Sequence, residues 1–272
     1  MNLKLKTMLA AGLLACTLTA GSASAATFTV ADRVISPSEI YTFSLNNRTY
    51  VPLRAISQLL DPSVELSWEN ATLTASVTSD TLHLTARMGD SWIQANGRYF
   101  YAADGVRIVN DSVMVPLHAL ALAMGADASW NSTTHDITAT RGSGHPGTAP
   151  YSEDDVYWLS RIISAESQGE PLEGKLAVGN VVLNRVKSSQ FPNTIYGVIF
   201  DRKWGVQFTP VANGTVYHTP TPESIIAAKM CLEGTNIVGN SLYFLDPSKS
   251  RNFWVMENRP FVTTIGCHWF YS

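Results

Sequence analysis

The run SEDDVYWLSRIISAESQGEPLEGKLAVGNVVLNRVK, Ser152 to Lys187, reads as two helices of different character. Ser152 is a helix cap, and Glu153, Asp154 and Asp155 fill the first turn, where unpaired backbone N–H groups favour negative charge. Val156, Leu159, Ile162 and Ile163 then form an apolar stripe at helical spacing. Glu166 stands seven residues after Leu159, four after Ile162 and three after Ile163, so it projects from the same stripe. A carboxyl there is costly unless it is partnered or protonated. Burial raises a carboxyl pKa, and an acid still protonated near neutral pH suits the cleavage of a glycosidic bond. A helix-end glutamate already turned to solvent is the competing reading, and periodicity alone does not separate the two.

After the break at Gln168-Gly169, the second helix is expected within Glu170 to Lys187. Its middle, Leu176 to Leu183, is apolar on nearly every face, as in a helix at the centre of a domain, with Gly174 and Gly179 allowing neighbours to approach closely. Glu166 then lies where an amphipathic helix meets a central one, a junction of the kind that lines clefts. Downstream, Trp204 to Pro210 reads as an aromatic loop. In it Gln207 offers an amide for N-acetyl groups, Phe208 either packs on a sugar face or joins the core, and Thr209 orients the reacting sugar. Thr221, Pro222 and Glu223 open a third helix that runs through Leu232 and is ended by Gly234. Leu242 to Leu245, Phe253 to Glu257 and Phe261 to Tyr271 read as strands, forming one wall of the cleft with Tyr243 and His268 directed inwards.

The stretches Ile163 to Pro171, Glu173-Gly174, Ala177 to Val186 and Phe191 to Ile195 closely resemble the catalytic domain of the SleB-type cell wall hydrolases, the spore cortex-lytic enzymes. Gln207 to Val211, Asn213-Gly214, Leu242 to Phe244, Pro247, Ile265-Gly266, His268 and Phe270-Tyr271 extend the resemblance, in order, to the end of the chain. It implies a lysozyme-like, mainly helical fold with a small antiparallel sheet, no cofactor and no metal. It also implies a lytic transglycosylase acting on peptidoglycan glycan strands, with Glu166 as the single catalytic carboxyl. Glu170, Glu173, Asp201 and Asp246 are the candidate second acids, and each has a structural reading as a helix-start, loop or turn residue. The alternatives are a hydrolytic muramidase, an N-acetylmuramoyl-L-alanine amidase and, outside enzymes, a cell-wall-binding module. Relatives of this kind leave room for an accessory germination protein as a partner.

Upstream, Arg141 to Pro150 (RGSGHPGTAP) is a linker by composition. Before it, Tyr50 to Leu60 leading to Trp68 and Met114 to Met124 leading to Trp130 form an internal repeat. Each copy reads as a helix with proline in its first turn, followed by a strand, and Trp68 and Trp130 are expected to seal equivalent layers, with a glycan-binding face as the lesser reading. Thr81 to Arg87, Ser91 to Ala95 and Arg98 to Tyr101 add strands, with an Asn96-Gly97 turn. Roughly residues 33 to 140 resemble the copper amine oxidase N-terminal domain. His83, His118 and His135 are scattered and lack the spacing of metal ligands.

Met1 to Ala25 has a basic start, a short apolar run and Ala23-x-Ala25, the pattern of a cleaved signal peptide, with a lipobox ending at Cys16 as its rival. Cleavage removes two lysines, taking 272 residues at net charge −3 to 247 at −5. No basic excess speaks for nucleic acid, and no stretch is long enough for a stable membrane span. The expectation is an exported α+β protein of the cell wall or spore cortex. Its parts are a signal peptide (1–25), a β-rich α+β module (26–140), a linker (141–152) and a hydrolase domain (153–272). Cys231 and Cys267 either pair or stand as small core residues.

Overall fold

The computed structural model describes residues 27–203, 205–250 and 253–272, so the expected signal peptide and Trp204 lie outside the described residues. The N-terminal part begins with β1 (Phe28–Val30), β2 (Arg33–Ile35), β3 (Phe43–Leu45), β4 (Arg48–Pro52) and α1 (Leu53–Leu60). A five-stranded antiparallel meander follows: β5 (Glu65–Glu69), β6 (Thr74–Thr78), β7 (His83–Arg87), β8 (Trp92–Ala95) and β9 (Arg98–Tyr101). The alternation of these strands buries Ala75, Val77, Leu84, Ala86, Ile93 and Phe100 on one face. Asn96 and Gly97, both at positive φ, turn β8 into β9.

Next come β10 (Arg107–Val109), β11 (Ser112–Pro116), α2 (Leu117–Ala123), β12 (Asp127–Trp130) and β13 (Ile137–Thr140). β4 and β11, each leading directly into a helix, pair at the centre of the sheet β10-β11-β4-β3, with Val51 opposite Val115. A second four-stranded sheet, β12-β13-β1-β2, closes this part. Two expectations need correction. Pro52 and Pro116 are not in the first helical turn but precede it with extended backbone, ending their strands as N-cap residues. Trp68 and Trp130 do not seal a layer, since both are exposed. They occupy strands whose outward face meets no second sheet.

In the C-terminal part, α3 (Glu153–Ser167) opens with a full capping box between Ser152 and Asp155. α4 (Leu172–Lys187) is buried over most of its length. α5 (Ile195–Ile199), α6 (Thr209–Asn213) and α7 (Pro222–Leu232) follow, and the Thr221 side chain caps α7. Leu159, Ile162, Ile163, Leu176, Val182 and Met230 meet where α3, α4 and α7 pack together. Gly179 marks the closest approach: a methyl group there would lie 2.8 Å from both Cys231 Sγ and Ile163 Cδ1. Gly179→Ala is therefore expected to destabilise the protein by about 1–3 kcal/mol, the cost of overpacking a dense core. A thermal midpoint equal to the parent's would show that these helices spread freely.

β14 (Tyr243–Leu245), β15 (Phe261–Ile265) and β16 (His268–Tyr271) form a sheet in the order β14-β16-β15, antiparallel throughout. The strand expected at Phe253 to Glu257 is instead one helical turn, α8 (Trp254–Asn258). Aromatic and β-branched residues suggested β structure, yet none of the five helix residues is buried, so no sheet surface rewards an extended form.

The glycine- and proline-rich segment between the two parts is tied down. Ser143 N–H donates to Gly125 O (3.3 Å), and Arg98 donates to the carbonyls of Pro146, Gly147 and Thr148. Arg98 also pairs through both Nε and a terminal nitrogen with the Glu233 carboxylate, and both side chains are largely buried. The Tyr101 hydroxyl donates to Glu173 (3.2 Å), and Lys229 donates to Gly97 O (3.1 Å). Trp92, Tyr99 and Tyr101 pack against the C-terminal core. Among the described residues no helix is long and apolar enough to cross a membrane.

Candidate active site

A cleft of about 350 Å³ opens where the end of α3 faces α4, the start of α6 and the segment after β14. Glu166, the penultimate residue of α3, lines it and is partly buried. The last turn of α3 is held from two sides: Ser167 Oγ donates to Ile163 O (2.5 Å), and Ser164 Oγ accepts from Thr221 N–H (3.2 Å). Burial pushes the Glu166 carboxyl from its ordinary 4.5 up to about 7, against the opposing pull of the Arg185 charge. Glu166 is thus a carboxyl that holds its proton near neutral pH.

Arg185 comes from α4 and is only 5% exposed. Its Nε donates to Leu242 O (2.7 Å), and its guanidinium lies 4.9 Å from the Phe191 ring centre, 5.2 Å from Phe208 and 5.7 Å from Tyr243. One terminal nitrogen has no protein partner. Burial lowers its pKa to about 10, which leaves it charged at neutral pH. Sequence reasoning did not single it out, although the signal was there. Arg185 follows Val181 by four residues and Val182 by three, so it is a charge on a buried helical stripe, like Glu166.

Of the other expected residues, Gln207, Phe208, Thr209 and His268 line the cleft. Gln207 donates to Gly205 O (3.1 Å), and Thr209 is exposed at the start of α6. Phe208, 2% exposed, belongs to the core and forms the cleft floor. His268 is buried edge-on to Phe244 (5.2 Å), its Nδ1 has no protein partner, and burial depresses its pKa, so the ring is neutral at pH 7. Tyr243 is not among the lining residues. Its neighbour Phe244, pointing to the other side of β14, takes that place, while Tyr243 stacks behind Arg185 and Arg259.

Asp246 also lines the cleft. One of its oxygens accepts from Ser248 N–H (2.9 Å) and Ser248 Oγ (2.6 Å), and the other pairs with Lys249 Nζ (2.9 Å). The Ser248 hydrogen bond and then Lys249 hold its pKa down to about 2. Glu170 turns away to accept from Cys267 N–H (3.0 Å), fixing the β15–β16 turn. Cys231 and Cys267 are both free, one buried and one exposed. A thiol reagent is therefore expected to label Cys267 in the native protein and Cys231 only after unfolding; equal protection of both would contradict this arrangement. Among the described residues, no group of three His, Cys, Asp or Glu side chains is placed to hold a metal ion.

A family model described as Cell Wall Hydrolase matches residues 169–271. The cell wall hydrolase CwlJ of Oceanobacillus iheyensis is 32% identical over 103 residues, which takes in 36% of this chain and 72% of that protein. The chain belongs to the cell wall hydrolase family. Another relative is a spore cortex-lytic enzyme of Bacillus cereus, 39% identical over 120 residues, covering 44% of this chain and 45% of that protein. The chain thus spans less than half the length of the cortex-lytic relatives it matches. A solved structure described as the catalytic domain of the germination-specific lytic transglycosylase SleB from Bacillus anthracis is 38% identical. It has a TM-score of 0.42 and covers 46% of this chain and 99% of that one. Residues 29–139 match a second family model, described as Copper amine oxidase N-terminal domain. Glu166 lies three residues ahead of the segment matched by the hydrolase model, so its role rests on the geometry above.

Proposed function

We propose that this cell wall hydrolase cuts peptidoglycan glycan strands as a lytic transglycosylase, with Glu166 as both general acid and general base. One observation carries the reading: Glu166 lines the cleft with its carboxyl protonated up to about pH 7. Glu166 gives its proton to the oxygen joining N-acetylmuramic acid to N-acetylglucosamine, and the C1–O bond breaks towards an oxocarbenium ion. The Glu166 carboxylate, facing the Arg185 charge, then takes the proton of the muramic C6 hydroxyl as that oxygen closes on C1, leaving a 1,6-anhydro end. Hydrolysis by the paired-carboxylate route needs a second acid to direct water or attack C1. Asp246 is the other carboxylate in the lining, and both of its oxygens are engaged. That engagement favours a nucleophile supplied by the substrate.

Gln207, Thr209 and His268 are assigned to the sugar, and Phe208 to the floor beneath it. Residues 1–25 are proposed as a signal peptide, 26–140 as the first module, 141–152 as the connecting segment and 153–272 as the hydrolase domain. The chain is then exported and acts at the wall or spore cortex. The matching order of strand, helix and strand around the β4–β11 pair supports an internal repeat in the first module. Mass analysis of muropeptides released from purified peptidoglycan tests the activity. Anhydro-muramic ends are expected, one water lighter than reducing ends. Reducing muramic ends would make the enzyme a muramidase, and free stem peptides an amidase.

A further inference from the structure

A second and larger cavity, about 1030 Å³, lies between the two parts of the molecule. One wall comes from β4, α2 and the β12–β13 hairpin; the other is the loop after α7, Glu233 to Ile237. Trp130 stands on its rim, 61% exposed, beside His135 with ring centres 5.8 Å apart. The loop carrying this pair is pre-set: Asn131 Oδ1 accepts from Thr133 and Thr134 N–H, and His135 N–H donates to Asn131 O. His118 and Asn47 line the same wall, and Thr235 and Asn236 face them from the other. An exposed indole beside an imidazole, with amides and hydroxyls around an open cleft, matches the alternating apolar faces and polar edges of a saccharide. At the upper end of ordinary ligand-site volumes, the space suits an oligomer better than a single ring.

The two clefts share a frame. Asn180 on α4 donates to Thr235 O (2.6 Å) and accepts from Ile237 N–H (2.9 Å), and Asn184 donates to Gly239 O (2.8 Å) and Ser241 O (2.9 Å). The next residue of α4 is Arg185, and the same loop runs on to Phe244 in the active-site cleft. Phe244 lies seven positions after Ile237, so these two points are no more than about 25 Å apart. We infer that the inter-part cleft is a second binding site for the glycan strand, gripping one stretch of the polymer through Trp130 and His135 while another lies against Glu166. This rests on a polysaccharide being the substrate. Two linked sites on one strand raise apparent affinity without any change in the chemistry of cleavage.

The test uses the full chain carrying Glu166→Gln, so that binding is read without cleavage, against insoluble peptidoglycan sacculi. Trp130→Ala is expected to weaken binding about tenfold or more. His135→Asn, which suits the left-handed backbone of that position (φ 61°), is expected to weaken it in the same direction. Trp68→Ala, outside the cleft, is expected to leave binding unchanged. Peptide-free glycan strands should compete for the site and free stem peptides should not. Undiminished binding by both Trp130→Ala and His135→Asn, or competition by stem peptides alone, would overturn the proposal. The outcome is separable from the activity: a chain with Glu166 intact that releases no anhydro ends refutes the transglycosylase reading, whereas Trp130-dependent capture of sacculi still decides the cleft.

Discussion

Glu166→Gln is expected to lose about two to four orders of magnitude in turnover, the range that a positioned acid–base group supplies, while gaining stability in alkaline solution. The second effect follows from the raised pKa. Below its unfolded value of about 4.5 the carboxyl is protonated in both states and ionisation carries no penalty. As pH rises towards 7, the unfolded chain ionises freely while the folded chain resists, so stability falls across that window and levels off above it. A difference of some two and a half pH units corresponds to roughly 3 kcal/mol. Glutamine mimics the protonated acid, so the variant should match the parent at pH 4 and exceed it by an amount of that order at pH 8. Urea denaturation at both values reads this directly. A variant no more stable than the parent at pH 8 would show that the Glu166 carboxyl is solvated rather than buried. The parent's kcat/KM should also decline above about pH 7 as the acid form disappears.

Arg185→Met should reduce turnover about a hundredfold and move the alkaline limb of the rate profile to higher pH. The guanidinium is the charge that draws the Glu166 pKa downward, so its loss lets burial act unopposed. In the proposed mechanism the same charge stabilises the carboxylate left after proton donation, and removing one such stabiliser costs about two to three orders of magnitude. Methionine fills the space among Phe191, Phe208 and Tyr243 but strands the Leu242 carbonyl, a loss of about 1–3 kcal/mol, set against relief from burying a guanidinium. A pH–rate profile with an unmoved alkaline limb would separate Arg185 from the titration of Glu166.

Glu166 could be found in the sequence because helical spacing is a strict rule and a carboxyl on an apolar stripe is conspicuous. Arg185 obeys the same rule four residues past Val181, yet near a helix end a charge is ordinary, and what makes this one unusual is the ring of aromatics brought from three other segments. Asp246 read correctly as a turn former. That the turn forms part of the cleft lining depends on how β14 meets β16, which local pattern does not encode. At Phe253 to Glu257, propensity favoured a strand where no sheet edge was on offer. The tryptophans misled for a related reason: large apolar side chains are expected inside, but Trp68 and Trp130 stand on hairpins whose outer face stays open. The ties between Arg98, Glu233 and residues 146–148 were invisible because composition reports what a segment can do in isolation, not what holds it.

α3 carries acids at both ends, and its electrical polarity treats them oppositely. Glu153, Asp154 and Asp155 sit in the first turn, where the aligned peptide dipoles present the equivalent of about half a positive charge. Glu166 sits in the last turn, facing the matching negative pole, which adds to the resistance of its carboxyl to ionisation. A single helix thereby places three acidic side chains at its favourable pole and a fourth, Glu166, at its unfavourable one. Shortening α3 by one turn at its C-terminus would remove Glu166 from the cleft, and lengthening it by one would move the negative pole away from Glu166 and let the acid ionise more readily.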